Sequence, residues 1–574
     1  MNPSDKTASA ALSRTGGQVV ADALRIHGVD TVFSVPGESF LPVIDALHGL
    51  REHIRLVTCR QEGAAAHMAD AYAKLRGVPG VCLVTRGPGS SNAAIGIHTA
   101  QQDSTPMVVL VGQVSRHAMG REAWQEIDYV RMFGGMAKWA VQVEQAGRIP
   151  EILAHAFQVA TSGRCGPVVV ALPEDLLYEP VQVTDTGAYR AVQAHPGGAD
   201  MQRLRTLLAA AQRPLVILGG GGWDRAACDD LAAFARRFHL PVGTAFRRQD
   251  LIDNHDVHFA GDVGLGINPA LAQRVRDADL VLAIGTRLGE TTTQDYTLLS
   301  APCPAQTLVH VHADAGELGR VYQAALPIQA GMAAFAAAAA ALEPVDTAAW
   351  AGWTRTAHAD YLATLAPPAV TGPLDMGAVM AHLRNVLPAD AILTNGAGNY
   401  AAWVHRFYGY RGFRTQLAPT SGAMGYGVPA ACAAALVHPE RTVVCFAGDG
   451  CFQMSAQELA TVRQYGLRIV FIVVNNGMYG SIRMHQEMNF PGHVYGTAID
   501  NPDFAALARA YGLHGEVVET TAGFAPAFER ARACTGSALL ELRTDPELIT
   551  PRTTLQALRD KALGTRAAAA PPQP

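Results

Sequence analysis

Two polar clusters that could hold a metal ion lie in the C-terminal third of the chain. The first is Gly448-Asp449-Gly450 and the second is Asn475-Asn476. They follow the apolar runs Val443–Ala447 and Ile469–Val474, which are typical of buried parallel strands. Carboxylate and amide oxygens suit Mg²⁺, and glycines let the backbone approach a diphosphate closely. Because ligands of open α/β sheets bind where parallel strands end, the pattern predicts a metal–diphosphate site.

An acidic residue in the N-terminal third is a second candidate for chemistry. Ile54–Thr58 is predicted to be a strand and Gly63–Lys74 a helix, so Glu62 lies between a strand's carboxyl end and a helix start. A carboxylate at this position commonly interacts with the helix dipole, and that structural role alone would explain it. The alternative is acid–base chemistry on a ligand bound at the same edge.

Short apolar runs alternate with helix-like stretches along the whole chain, and they position these candidates. One such stretch is the helix predicted over Gln453–Tyr465 and ended by Gly466. The alternation predicts an α/β fold with three doubly wound, parallel-sheet domains. The remaining apolar runs are Val81–Thr85, Met107–Val111, Val168–Leu172, Leu215–Leu218 and Leu280–Ile284.

Polar stretches that contain glycine and proline divide the chain. Val181–Gly198 and Ala366–Gly372 have the composition of linkers. They predict domains over residues 1–185, 195–345 and 370–555. Residues 566–574, which are rich in alanine and proline, are expected to form a disordered tail.

The composition excludes several classes of protein. Hydrophobic residues make up 49% and charged residues 17% of the chain, which fits a folded protein with large cores. The net charge of −5 gives no basic field for nucleic acid, and no apolar stretch is long enough to span a membrane. The nine cysteines include no CxxC pair, and with a polar N-terminus they favour reduced thiols and a cytoplasmic location.

The metal-site motifs resemble those of thiamine-diphosphate enzymes, as do Asn395–Asn399 and Thr420–Gly427. The resemblance implies that Asp449 and Asn476 ligate Mg²⁺ through their side chains and Met478 through its backbone carbonyl. It also implies that Met424 keeps the two cofactor rings bent and that the Gly422 carbonyl accepts a hydrogen bond from the 4′-amino group. The other cofactor-binding residues implied are Pro36, Gly37, Ala397, Gly398, Asn399, Gly448, Gly450, Cys451 and Tyr479.

The N-terminal domain resembles that of acetolactate synthase large subunits. The matching stretches are Val35–Gly37, Arg60–Tyr72, Gly87–Gly89, Asn92, Asp103–Pro106, Gly112–Val114, Gln125-Glu126 and Ser162–Pro167. By this resemblance Glu62 is the catalytic residue, a glutamate that hydrogen-bonds N1′ of the cofactor's aminopyrimidine. The resemblance further implies an enzyme of branched-chain amino acid biosynthesis with 2-oxo acid or aldehyde substrates. It implies a homodimer or homotetramer with the active site between subunits.

The middle domain leaves cofactor occupancy open. Its glycine turns, Gly219–Gly222, Gly264–Gly266 and Gly285–Arg287, lack the GxGxxG spacing of a dinucleotide-binding turn. Acetolactate synthase relatives bind FAD in this domain, whereas close cousins bind none. FAD binding and ordinary tight turns are therefore both retained as hypotheses.

The chain departs from the family pattern around the acceptor pocket. FAD-dependent synthases carry Arg-Phe-Asp-Asp-Arg where this chain has Arg287–Thr291, so Thr291 replaces the second arginine. His485 aligns with a tryptophan of plant-type synthases, and Ala397–Tyr400 replaces a Gln-His-Gln-Met segment. For each expected pocket residue a packing or surface role is the alternative. The expected substrate-pocket residues are Gln113, Trp124, Gln125, Arg483 and His485.

Three functional hypotheses follow. The first is an acetolactate-synthase-like carboligase, a transferase or lyase that decarboxylates pyruvate and passes the two-carbon unit to a second carbonyl. The second is a thiamine-diphosphate-dependent decarboxylase of another 2-oxo acid, or a lyase of a 2-hydroxy ketone. The third, motivated by the glycine-rich middle domain, is a nucleotide-binding oxidoreductase or a non-catalytic binding subunit.

Overall fold

The computed structural model describes residues 13–367, 370 and 372–569. Three six-stranded sheets, each with all its strands parallel, follow one another along the chain. This confirms the predicted α/β fold of three parallel-sheet domains. The sheets fall into two compact units, Met1–Val192 and Gln193–Pro574.

The first unit carries a sheet with the strand order β3-β2-β4-β5-β7-β6, and a short antiparallel pair, β1 and β8. The strands β4, β5 and β7 are buried along their whole length, as continuous apolar runs predict for parallel strands covered on both faces. Its elements are β1 Arg14–Thr15, α1 Gly16–Ile26, β2 Thr31–Ser34, α2 Leu41–Gly49, β3 Arg55–Thr58, α3 Glu62–Arg76, β4 Gly80–Val84, α4 Gly87–Asp103, β5 Met107–Gln113, α5 Tyr129–Phe133, β6 Trp139–Gln142, α6 Ile149–Thr161, β7 Pro167–Pro173, α7 Glu174–Tyr178 and β8 Pro180–Val181.

The central sheet has the strand order β11-β10-β9-β12-β13-β14 and is buried on both faces. In β9, Leu215 and Ile217 join the core cluster on one face, and Val216 and Leu218 join the cluster on the other. This alternation follows from the two-residue period of a strand. The elements are α8 Gly198–Ala210, β9 Pro214–Leu218, α9 Arg225–Arg237, β10 Val242–Ala245, β11 Phe259–Val263, α10 Pro269–Asp277, β12 Leu280–Ile284, α11 Glu290–Thr293, β13 Thr307–His312, β14 Leu326–Gln329, α12 Met332–Ala340 and α13 Ala351–Thr364.

The C-terminal sheet has the strand order β16-β15-β17-β18-β20-β19. Its middle strands β17 and β18 pair in parallel and end at the two polar clusters of the sequence. The elements are α14 Met376–Val386, β15 Ile392–Asn395, α15 Ala401–Phe407, β16 Gln416–Leu417, α16 Gly427–Val437, β17 Val443–Gly448, α17 Asp449–Gln453, α18 Leu459–Gln464, β18 Val470–Asn475, α19 Gly480–Asn489, α20 Phe504–Ala510, β19 His514–Val518, α21 Thr521–Ala533, β20 Ala538–Arg543 and α22 Leu555–Ala569.

The central and C-terminal sheets belong to one compact unit because loops between them are tightly bonded. Asn254 donates through its backbone N–H to the carbonyl of Tyr410 at 2.8 Å, and its side-chain oxygen accepts from the N–H of Tyr410 at 2.8 Å. The backbone N–H of Gln249 donates to the side chain of Gln416 at 2.8 Å. The stretch near Ala366–Gly372 therefore separates two sheets that pack as one body.

Two local predictions need correction. The helix predicted over Gln453–Tyr465 is instead two helices, α17 and α18, because Ser455 leaves the helical region with a φ of −144°. Met454 packs against Gly425, where an added Cβ would lie 3.1 Å from the Met454 Cβ. Residues 566–569 of the expected tail belong to α22, which continues to Ala569, and residues 570–574 lie outside the described residues.

Candidate active site

A cavity of about 270 Å³ opens at the carboxyl ends of β15, β17 and β18. This is the edge where parallel sheets bind ligands. Every residue of the C-terminal domain that was predicted to bind the cofactor or the metal lines it. These residues are Ala397, Gly398, Asn399, Gly422, Met424, Gly448, Asp449, Gly450, Cys451, Asn476, Met478 and Tyr479.

Asp449 is a buried carboxylate at the start of α17, only 3% exposed. One oxygen accepts from the N–H of Gly450 at 2.8 Å, and the other accepts from the N–H of Gly477 at 2.8 Å. Burial raises the pKa of Asp449 above its ordinary value, while these neutral hydrogen-bond donors oppose the rise. Among the described residues no basic side chain pairs with this carboxylate. A divalent cation would supply the missing positive charge.

The other expected ligands lie on the loop after β18. The Asn476 side-chain oxygen accepts from the N–H of Met478 at 3.3 Å. Residues 477–479 are held by a neighbouring segment, because Ile499 donates to the Gly477 carbonyl and Tyr479 donates to the Thr497 carbonyl, each at 2.9 Å. The described residues contain no group of three or more His, Cys, Asp or Glu placed to hold a metal. One carboxylate with amide and carbonyl oxygens is a donor set that suits Mg²⁺.

A network behind the carboxylate was missed by the sequence analysis. The Asn501 amide donates to Asp449 and to Asn475, each at 2.9 Å. Asn475 in turn donates at 2.9 Å to Glu541, which is 1% exposed. Asn501 lies in the loop before α20, far along the chain from both clusters, so no spacing signal could have identified it.

Two tyrosine rings form walls of the cavity, and their positions explain why residues 448 and 450 are glycines. A Cβ on Gly448 would lie 2.9 Å from the Tyr400 ring, and one on Gly450 would lie 2.7 Å from the Tyr479 ring. The Tyr400 hydroxyl accepts from the N–H of Gly396 at 3.0 Å and lies 3.5 Å from the Cys451 sulfur. Any larger residue at either glycine would displace an aromatic wall, so the cavity depends on both.

The other predicted residues lie in the first unit, at the carboxyl ends of its own parallel strands. Glu62 is the first residue of α3, and its carboxylate accepts from the Asn92 amide at 2.9 Å. Pro36 and Gly37 follow β2, where a Cβ on Gly37 would lie 2.4 Å from the Thr85 Cβ. Glu62 is half-buried and keeps a second oxygen near the glycine-rich start of α4, 3.3 Å from a Cβ placed on Gly89.

The expected substrate-pocket residues of the first unit are placed in different environments. Gln113 is buried, and its amide donates to the Ile127 carbonyl at 2.8 Å and to Gln142 at 3.1 Å, so its polar group is used within the domain. Trp124 is 71% exposed, with the Arg86 guanidinium 5.5 Å from its ring. Gln125 has a φ of 68°, and its carbonyl accepts from the N–H of Gly87 at 3.0 Å.

The two expected pocket residues on α19 are separated. Arg483 is buried and forms an ion pair with Glu487 one turn along the helix, so its charge is neutralised away from the cavities. The predicted role of Arg483 in substrate binding stays a prediction, and this ion pair favours the alternative of a packing role. His485 lines a second and larger cavity of about 640 Å³, which shares Ala397–Asn399 with the first.

Family models match the three domains in order. The N-terminal thiamine pyrophosphate (TPP) binding domain of thiamine pyrophosphate enzymes matches residues 14–132, the central domain matches residues 201–339, and the C-terminal TPP binding domain matches residues 396–542. The class defined by the fold and these matches is the thiamine pyrophosphate enzymes.

Curated relatives narrow the class. The acetolactate synthase large subunit of Parasynechococcus marenigrum is 35% identical over 527 residues, 88% of this chain and 84% of the relative. That of Haemophilus influenzae is 32% identical over 88% of this chain and 90% of the relative. The acetolactate synthase isozyme 2 large subunit of Escherichia coli is 31% identical over 87% of this chain and 90% of the relative. The chain belongs to the family of acetolactate synthase large subunits, which leaves the oxidoreductase hypothesis without support.

Two further expectations can be compared with the structure. Among the described residues, no helix is long and apolar enough to cross a membrane. All nine cysteines lie in the described part of the chain and are free thiols, six of them buried.

Proposed function

We propose that the protein is a thiamine-diphosphate-dependent carboligase that decarboxylates a 2-oxo acid such as pyruvate and transfers the two-carbon unit to a second carbonyl. The observation that carries this proposal is a cavity whose lining residues are those of the thiamine-diphosphate motif, in a chain similar to acetolactate synthase large subunits along most of its length. The proposal includes a biosynthetic role of the acetolactate synthase type.

Each residue of the cavity would have a defined task. Asp449, Asn476 and the Met478 carbonyl would hold Mg²⁺, which in turn would bind the diphosphate. The backbone near Gly448 and Gly450 would approach the diphosphate. Thiamine diphosphate, when bound, supplies a thiazolium C2 position that reacts as a carbon nucleophile. Glu62 would share a proton with N1′ of the aminopyrimidine, and Asn92 orients its carboxylate.

The proposed site needs residues of both compact units. Glu62 belongs to Met1–Val192, whereas Asp449 and Asn476 belong to Gln193–Pro574. We infer that a homodimer, or a homotetramer built from dimers, completes each site, in line with the family resemblance. The substrates would be small 2-oxo acids or aldehydes.

FAD fits the glycine turn after β9 poorly. A Cβ on Gly220 would lie 1.9 Å from the Gly285 carbonyl oxygen, so the two turns pack directly on each other. The Trp223 indole donates to the Gly219 carbonyl at 2.8 Å and covers the turn. These glycines serve close backbone packing, and no step of the proposed reaction is assigned to a flavin.

A second candidate, decarboxylation of a different 2-oxo acid or cleavage of a 2-hydroxy ketone, is favoured by the departures from the family pattern. Thr291 and His485 both line the larger cavity. Product analysis with pyruvate, thiamine diphosphate and Mg²⁺ separates the two functions. Acetolactate as the main product supports the carboligase. Acetaldehyde as the main product, or no turnover of pyruvate, supports the alternative.

A further inference from the structure

The larger cavity is joined to the proposed cofactor cavity by shared walls. Both are lined by Ala397–Asn399, Gly422 and Ser481. The larger cavity has a volume of about 640 Å³, more than twice the 270 Å³ of its neighbour. A molecule that reacts in the smaller cavity could therefore extend into the larger one.

The larger cavity carries positive charge that the described residues do not neutralise. Arg406, on α15, has a buried Nε without a hydrogen-bond partner, and its guanidinium pairs with no acidic side chain among the described residues. Within the described part of the chain, Arg552 donates to backbone alone, to the carbonyl oxygens of Gly266 and Ile267 at 3.2 Å each. Burial is the largest cause of the lowered pKa of Arg406, and the positive charge of Arg552 is the next. The two cations therefore repel each other.

The remaining charged groups do not cancel these two arginines. Asp262 is the one acidic side chain among the described residues that line the cavity. Burial raises its pKa to about 7, and the charge of Arg247, which also lines the cavity, opposes that rise. Asp262 and Arg247 thus balance each other at most, which leaves the partly buried Arg406 and the exposed Arg552 as two cations that line the cavity.

We propose that Arg406 and Arg552 bind the negatively charged far end of a substrate, so that the enzyme takes a molecule with a carboxylate or phosphoryl group remote from its reacting carbonyl. This inference rests on the proposed function, because the reacting carbonyl would lie in the adjoining cavity. Guanidinium groups recognise both anions through paired hydrogen bonds. His485 lines the same cavity and would contact the same substrate.

A binding experiment on the holoprotein tests the inference without turnover. The probes are glutarate, inorganic phosphate and the neutral diamide of glutarate, each titrated by calorimetry. We expect glutarate to bind at least about 10-fold more tightly than its diamide, a difference of 1.4 kcal/mol. Tighter binding of phosphate than of glutarate would assign a phosphoryl group, and the reverse order would assign a carboxylate.

Variants locate the binding. Arg406→Met should weaken glutarate binding at least about 10-fold, whereas Arg406→Lys should keep part of it. Arg355→Met, which removes an exposed arginine of α13, is the matched control and should leave the affinity unchanged. If Arg406→Met fails to fold, the salt dependence of glutarate binding to the wild-type protein decides, since binding by charge weakens as salt rises.

The inference is overturned by equal affinities for glutarate and its diamide, by unchanged binding in Arg406→Met, or by a copurified flavin dinucleotide that glutarate displaces. The proposed function fails separately, when no 2-oxo acid is turned over by a protein that carries thiamine diphosphate. A comparison of 2-oxoglutarate with 2-oxopentanoate then connects the two claims. Arg406→Met should raise the KM for 2-oxoglutarate and leave the KM for 2-oxopentanoate unchanged.

Discussion

At the scale of single residues, Asp449 carries a negative charge, and its hydrogen-bond donors among the described residues are all neutral. Two backbone N–H groups and one amide hold the carboxylate in place, and the described basic residues leave it without a counter-ion. A buried carboxylate of this kind is costly unless a cation binds to it. This environment is the reason for the proposal that Asp449 binds a metal ion.

Removing that carboxylate should remove the metal and the cofactor. We expect Asp449→Ala to weaken Mg²⁺-dependent binding of thiamine diphosphate by more than about 100-fold. The substitution removes a proposed metal ligand, which costs more than the loss of a residue that only orients a ligand. Calorimetric titration with the cofactor in the presence of Mg²⁺ measures the change. Asp500→Ala, at an exposed position in the same loop region, is the control and should bind normally. Normal loading of Asp449→Ala would contradict the assignment.

Asn501 should position the carboxylate without touching the metal. Its amide bridges Asp449 and Asn475, so Asn501→Ala should weaken Mg²⁺ binding by about 10–100-fold. Asn501→Asp has nearly the same shape but replaces the donor by a second negative charge, and it should disturb the geometry further. Mg²⁺ titration of cofactor binding distinguishes the variants. Equal affinity in all three proteins would mean that the network has no positioning role.

The sequence could predict the position of cavity residues that belong to a local motif, and it could not predict the position of residues that reach the site through contacts between distant segments. Asp449 and Asn476 were predictable because each follows a buried strand, and strand ends meet at one edge. Asn501 and Glu541 were not, because they reach the site from separate loops and strands. The ion pair of Arg483 with Glu487 was not predicted either, since the sequence does not show which cations have partners.

At the scale of elements, α19 and α22 are joined by a buried ion pair network. Glu487 on α19 is fully buried and accepts from the Arg559 guanidinium of α22 at 2.9 Å and from the N–H of Gly492 at 2.9 Å, with Arg483 as a further partner. The Arg559 hydrogen bond is the largest cause of a Glu487 pKa lowered from 4.5 to about 2. The helix that follows Tyr479 is thereby anchored to the C-terminal helix.

This network predicts a defined pH dependence of stability. Because the folded-state pKa is the lower one, the contribution of Glu487 is complete above about pH 4.5 and is lost as the pH falls towards 2. At pH 7, Glu487→Gln should lower the free energy of unfolding by about 3 kcal/mol, since it leaves two arginines without their partner. Denaturant unfolding at several pH values measures the difference, and Glu529→Gln, on exposed surface, is the control. A deficit that stays constant below pH 4.5 would contradict this account.

Element boundaries were predictable where one local signal dominates. The strand Leu280–Ile284 has the predicted bounds, because a continuous apolar run lies between Asp279 and Gly285. The continuous helix predicted over Gln453–Tyr465 is wrong. At the break, Met454 contacts the turn at Gly425, and the sequence does not reveal this contact. Tertiary packing overrides helical periodicity there.

At the scale of the whole molecule, the proposed active site draws on two compact units, and this makes assembly testable. Glu62→Gln and Asp449→Ala should each be inactive alone. If every site combines units from two subunits, random mixed dimers should regain about a quarter of wild-type activity, because half the dimers are mixed and one of their two sites is intact. Coexpression with separate tags and an activity assay tests this. No recovery would place each site within one subunit.

The three-sheet architecture was predictable because the sequence of each domain alternates repeatedly between strand-like and helix-like stretches. That the second and third sheets form one compact unit was not, because the bonds between Asn254 and Tyr410 join loops without any sequence signature.

The central claim is that a glutamate in the first unit activates a coenzyme held by the metal site of the second. The rate of hydrogen–deuterium exchange at C2 of bound thiamine diphosphate measures this activation before any substrate is added. We predict that Glu62→Gln slows the exchange by about 10²–10⁴-fold while the coenzyme stays bound, and that Glu52→Gln, an exposed neighbouring glutamate, exchanges like the wild-type protein. Exchange at the wild-type rate in Glu62→Gln with bound coenzyme would contradict the account.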